Sequence, residues 1–110
     1  MEKQEVKEGI LFLLKEDNAS KEINGDGMGY SLLEIKEYLK LNGVKEYIQG
    51  QDGLKKLQNL LAEMENERLI EKRILGGNLY DYSIENPGYL ITENNKDTLK
   101  EKWILPDDND

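Results

Sequence analysis

The sequence predicts a mainly α-helical domain with one small β-hairpin. Three observations lead there. Three stretches carry apolar residues at helical spacing: Val6, Ile10, Leu13 and Leu14; Leu32, Ile35 and Leu39; and Leu54, Leu57, Leu60, Leu61 and Met64. Two short segments rich in Ile, Leu and Tyr then flank Gly76-Gly77-Asn78, residues that supply the positive φ of a tight hairpin turn. The length of 110 residues suits one core rather than two. We expect a single domain over 1–105 and an acidic, disordered tail over 106–110, where Pro106 is followed by acids.

The first helix is expected from Glu2 to Glu16, with Leu11 and Phe12 widening its apolar face. Asp17 to Gly29 brings glycines with Asn, Asp and Ser and reads as a loop. Ser31 followed by Glu34 has the spacing of a capping box, so a second helix should start there, run to about Leu41 and end at Asn42-Gly43. Val44, Tyr47 and Ile48 suggest a short helical turn that covers part of the core. Asp52 is the expected N-cap of the third helix, which ends near Glu67. The strands should span Arg68 to Leu75 and Leu79 to Ile84, with Ile70, Ile74, Tyr80, Tyr82 and Ile84 on the buried face. Asn94 or Asn95 is placed to cap a last short helix bearing Leu99 and Trp103.

Composition removes whole classes of chemistry. With no cysteine and no histidine there are no disulfides, no thiolate or imidazole metal ligands and no Ser-His or Cys-His nucleophile. Acids are spread over every element without a paired-carboxylate constellation, so a non-enzymatic protein without a cofactor is expected. The longest apolar run, Ile10 to Leu14, falls far short of the ~20 residues that span a bilayer, and the acidic start is no signal peptide. A cytoplasmic protein that makes no membrane contact is expected. The formal net charge of −8 repels nucleic acid as a whole, yet residues 52–83 carry 5 basic and 6 acidic groups and are nearly neutral. Within them Lys55, Lys56, Arg68, Lys72 and Arg73 are candidates for a local positive face.

Helix, helix, helix and then a glycine-turned hairpin is the order of a winged helix-turn-helix domain. The run Leu57-Gln58-Asn59-Leu60-Leu61-Ala62-Glu63-Met64-Glu65-Asn66-Glu67-Arg68-Leu69-Ile70-Glu71-Lys72-Arg73 resembles the recognition helix and first wing strand of ArsR-, MarR- and PadR-type prokaryotic regulators. Gly76-Gly77-Asn78 and Tyr80-Asp81-Tyr82-Ser83-Ile84 resemble their wing tip and returning strand, and Leu32 to Leu39 resembles the helix before the recognition helix. The resemblance covers roughly residues 31–90. Arg68 departs from it, standing where those families often have glycine, and the 42–52 link between second and third helices is longer than usual.

The resemblance implies a DNA-binding transcriptional regulator. The third helix would enter the major groove through Lys55, Lys56, Gln58 and Asn59, which lie off its apolar stripe. Lys72, Arg73 and Asn78 would be the wing contacts to phosphate. The bland alternative is that these are solvated polar positions, and Glu63, Glu65, Glu67 and Glu71 lie among them. A second class of function therefore stays open: an acidic winged-helix module that binds a protein partner and not double-stranded DNA. Leu99 and Trp103 are the candidate contacts of a possible homodimer, or else they cover the core under the first helix. Glu22-Ile23-Asn24-Gly25-Asp26-Gly27 resembles the opening of a calcium loop, but Leu33 falls where the bidentate acid belongs, so no metal site is expected.

Overall fold

The computed structural model describes residues 2–23, 29–77, 79–85 and 95–106. Among the described residues the element order is α1 (Lys3–Ile23), α2 (Leu32–Leu41), α3 (Gly50–Asn66), β1 (Ile70–Gly76), β2 (Leu79–Ile84) and α4 (Lys96–Lys102), with β1 and β2 pairing antiparallel. The mainly helical class with a small hairpin is thus observed.

The helix α1 is the centre of the molecule. Ile10, Leu11, Phe12, Leu13 and Leu14 are five consecutive buried residues, which means that the helix is covered on all sides there rather than along one stripe. It also outruns its expected end, continuing to Ile23 through a stretch of turn-forming residues, so Glu22 and Ile23 close a helix instead of opening a calcium loop. The remainder of that loop, 24–27, lies outside the described residues. On one side Gly9 meets Trp103 so closely that a Cβ would sit 2.3 Å from its indole carbons. Trp103 stacks on Tyr38 at 5.6 Å, and the Tyr38 hydroxyl donates to the Gly9 carbonyl at 2.7 Å. These contacts bring α4 and the residues after it against α1 and α2.

The capping box of α2 forms as its spacing predicts. Ser31 Oγ accepts from the Glu34 N–H at 3.2 Å, and Glu34 Oε1 accepts from the Ser31 N–H at 3.0 Å. Gly43, at φ 73°, turns the chain out of α2, and the 44–49 connector then packs Val44 and Tyr47 into the core. The third helix starts earlier than expected. Its first turn is closed by Gly53 N–H to the Gln49 carbonyl at 2.9 Å, so Gln49 holds the N-cap position without a side-chain bond. Asp52 is therefore not the cap but an acid in the first turn, where the helix dipole favours it. Gly53 is buried because the connector crosses it: a Cβ there would meet the Ile48 backbone at 2.9 Å.

The exit of α3 is a full Schellman motif. Leu69 N–H bonds the Met64 carbonyl and Arg68 N–H bonds the Glu65 carbonyl, both at 3.0 Å, which forces Arg68 to φ 61°. Arg68 accepts a left-handed conformation that glycine adopts without strain. The hairpin then pairs Ile70 with Ile84, Lys72 with Tyr82, Arg73 with Asp81 and Ile74 with Tyr80, turning at Gly76 (φ 145°) and Gly77 (φ 56°). A further rung, not anticipated from sequence, joins Tyr30 to β2: each of Tyr30 and Tyr82 donates its N–H to the other's carbonyl at 2.8 Å. Only glycine fits before it, since a Cβ on Gly29 would lie 2.1 Å from the Tyr82 carbonyl oxygen.

The hairpin's buried face is shorter than the alternation predicts. Ile70 and Tyr82 are buried and Tyr80 and Ile84 partly so, but Ile74 is 68% exposed. The helices cover only the base of the hairpin, and Ile74 has passed beyond them. Leu79, at 70%, projects from the same end.

Candidate functional site

Lys55, Lys56, Gln58 and Asn59 are all exposed on α3, opposite the side that buries Leu57, Leu60, Leu61 and Met64. The helix period sets this: positions 57, 60, 61 and 64 recur on one stripe, and the polar residues between them must face away. Lys56 and Asn59 also line a groove of about 250 Å³ with Lys3, Glu46, Tyr47 and Glu63.

Two of the acids toward the end of α3, Glu63 and Glu67, are paired, while Asp52 and Glu65 are in no ion pair among the described residues. Lys7 on α1, whose side chain is only 6% exposed, donates to Glu63 at 2.9 Å and to Glu67 at 2.8 Å, and Lys3 reaches Glu63 at 3.2 Å. Burial draws the Lys7 amine toward its neutral form, but the hydrogen bonds to Glu67 and Glu63 outweigh it, and its pKa stands above the ordinary value. Hydrogen bonds from Lys7 and Lys3 hold the Glu63 carboxyl below the usual carboxylate range. This pairing ties α1 to α3 and cancels negative charge on the C-terminal half of α3.

Lys72 and Arg73 lie on the hairpin that follows the C-terminal end of α3, whereas Lys55 and Lys56 lie in its N-terminal half. Arg73 is engaged with Asp81, directly opposite it in the ladder: Nε donates to Oδ1 at 2.9 Å and Nη2 to Oδ2 at 2.7 Å. Asp81 is buried, and its Oδ2 also accepts the Gly29 N–H at 3.0 Å, so the pair fastens the segment before α2 to the hairpin. Arg73 is therefore a structural cation, with two of its five guanidinium N–H donors committed to a buried carboxylate. Lys72 is exposed, with its amine 4.1 Å from the centre of the Tyr80 ring. Asn78 lies outside the described residues.

Leu99 and Trp103 are not dimer contacts on offer but core residues. Each is 3% exposed within a single chain, so neither has surface to offer a second copy; they cover the core against α1. A short apolar stripe reads alike for either role, and the signal that separates them is Gly9, whose missing side chain makes room for the indole.

A group the sequence reading passed over lies next to α3. Lys36 and Lys40, one helical turn apart on α2, line a groove of about 370 Å³ with Lys45, Ile48 and Gln49 from the connector and with Glu37. Residues 36–59 as a whole hold five lysines against three acids, in a chain of net charge −8. The 36/40 spacing was visible in the sequence; that the connector brings Lys45 beside it was not.

Among the described residues no three carboxylates converge to hold a metal ion, and no helix is long and apolar enough to cross a membrane. Comparison of the chain with protein-family models, with curated proteins and with solved structures finds no match.

Proposed function

We propose that this chain is a non-enzymatic, DNA-binding winged-helix protein of the cytoplasm that acts as a transcriptional regulator, with α3 as the helix that enters the major groove. The observation that carries the reading is the outer face of α3. Lys55, Lys56, Gln58 and Asn59 stand clear of the core on one exposed surface, while Glu63 and Glu67 farther along the helix are neutralised by Lys3 and Lys7. Gln58 and Asn59 carry amides suited to adenine edges, and the two lysines suit guanine or phosphate. The hairpin would lie along the backbone with Lys72 as its contact, Arg73 being held by Asp81.

The double variant Lys55→Glu, Lys56→Glu tests this, since both positions are exposed and the fold should survive. Duplex binding should be abolished by acids at the groove edge. Binding unchanged from that of the native protein would show that α3 is not the contact.

One observation favours the other class of partner. Ile74 and Leu79 project apolar surface from the end of the hairpin, where a phosphate contact would call for cations. If no duplex binds, the hairpin is the surface through which a protein-interaction module would work.

A further inference from the structure

We infer that the groove between α2 and the 44–49 connector is a phosphate seat, in which the amines of Lys36, Lys40 and Lys45 hold a phosphodiester of the DNA backbone beside the helix that reads the bases. The source of the phosphate rests on the DNA-binding reading above; the chemistry of the groove does not.

Three ammonium groups line this groove against the single carboxylate of Glu37. No ion pair engages any of the three among the described residues, in contrast to Lys3, Lys7, Arg73 and Lys102, which all have carboxylate partners. The contrast matters in a chain with 23 acids and 15 basic residues, where a lysine has more acids than competitors to meet. Bringing like charges together costs free energy that a bound anion would return. Point-charge amines on long stems suit a phosphate approached from several directions, whereas flat carboxylate recognition favours the arginine fork. Ile48 adds an apolar patch against which a sugar ring can lie, and Gln49 adds an amide donor. A volume of about 370 Å³ is at the small end for ligand sites, enough for a phosphodiester with its sugar but not for a large cofactor.

The position agrees with the role. Gln49 both lines the groove and holds the N-cap position of α3, so an anion seated here lies at the positive end of the helix dipole and ahead of Lys55 and Lys56. A backbone phosphate gripped at that point would set how far α3 enters the groove.

The test compares the native chain with the triple variant Lys36→Gln, Lys40→Gln, Lys45→Gln in titrations of a labelled duplex of about 20 base pairs between 25 and 200 mM salt. Each lost phosphate contact removes about 0.9 from the slope of log affinity against log salt, so loss of the one phosphate seated here should make the variant's slope shallower by about 1. Affinity at the lowest salt should fall by about tenfold or more on every duplex sequence alike, because phosphate contacts carry no base information. The melting temperature should stay within about 2 °C of native, since the side chains changed are at the surface. A variant that keeps the native slope overturns the inference and leaves the proposed function standing. If the native chain binds no duplex, the proposed function falls and inorganic tripolyphosphate decides the groove. A rise in the native melting temperature at millimolar tripolyphosphate that is lost in the triple variant supports a seat for a free phosphorylated ligand, and no rise overturns it.

Discussion

Replacing Gly9 by alanine should unfold the chain more easily, although the same change inside a helix ordinarily does the opposite. Alanine is a better helix former than glycine by about 1 kcal/mol, so an unobstructed Gly9→Ala would stabilise α1 by that amount. The added Cβ, however, would lie 2.3 Å from Trp103 Cε2 and Cζ2 and 2.5 Å from Cη2. The obstacle is a rigid ring stacked on Tyr38, not the end of a flexible chain, and it must move by more than 1 Å to reach van der Waals distance. Overpacking of this kind costs about 1–3 kcal/mol when the core yields. Complete expulsion of the indole, about 200 Å² at about 25 cal/mol per Å², would cost about 5 kcal/mol. Because the rigid ring must move by more than 1 Å, the cost of overpacking lies in the upper part of its range, about 2–3 kcal/mol. After the gain in helix propensity the net loss should fall between about 1 and 4 kcal/mol, which lowers the melting temperature by at least about 4 °C. Trp103 is the chain's one tryptophan, so urea unfolding followed by both circular dichroism and tryptophan emission reads the loss and its place together. The native emission should be blue-shifted and that of the variant redder. An equal or higher unfolding midpoint with unchanged emission would refute the docking of the C-terminal segment on α1.

Ile74→Asp should change stability by no more than about 0.5 kcal/mol because Ile74 is exposed, whereas Ile70→Asp, at a buried position on the same face, should cost several kcal/mol; equal effects in thermal melts would contradict the short buried face of the hairpin. Arg68→Gly should stabilise by about 0.5–1 kcal/mol by relieving the left-handed conformation at the Schellman turn, and a loss of stability in urea titration would show that the Arg68 side chain does more than tolerate its place. Asp81→Ala should cost about 2–4 kcal/mol, since it leaves the Gly29 N–H without its acceptor and the Arg73 fork without its partner, though Arg73 can partly rehydrate; a variant with the native midpoint would overturn that latch. Acid should weaken the fold from two carboxylates held below the usual 4.5, Glu63 by hydrogen bonds from Lys7 and Lys3 and Glu5 by a hydrogen bond from Lys102 of α4, whose contribution is complete above that value and lost as pH falls through their lower folded values. Melting temperature should therefore fall below about pH 4.5, less steeply in Lys7→Met, and an identical acid limb in that variant would contradict the Lys7 pairing.

What could be read along the chain and what could not divides by the range of the interaction. The capping box at Ser31 and Glu34, the apolar stripe of α3 and the glycines at 76 and 77 are local devices, and the structure builds each of them. The end of α1 is not legible locally, because the turn-forming residues after Asp17 signal a break that α1 overrides, extending to Ile23. Asp52 looked like a cap because it precedes an apolar run, but packing of Ile48 on Gly53 starts the helix earlier. The reach of the buried face of the hairpin depends on where the helices stop, which alternation does not encode, and so Ile74 was expected inside. In the candidate site, the outward direction of Lys55, Lys56, Gln58 and Asn59 follows from the stripe alone. The engagement of Arg73 needed the strand register, the neutralisation of Glu63 and Glu67 needed α1 against α3, and the lysine groove needed the fold of the connector.

The most direct measurement is whether the native chain binds double-stranded DNA at all, read as anisotropy of labelled random and genomic duplexes from about 50 mM salt upward. With Arg73 engaged and the contacts limited to Lys55, Lys56, Lys72 and the phosphate seat beside α2, binding should appear at low salt with a slope of log affinity against log salt on the order of −3 to −4, and a preferred sequence should lose its preference when Gln58 and Asn59 are changed to alanine. No binding of any duplex at about 50 mM salt by a chain whose melting curve shows it folded would contradict the account and leave the apolar end of the hairpin as the working surface.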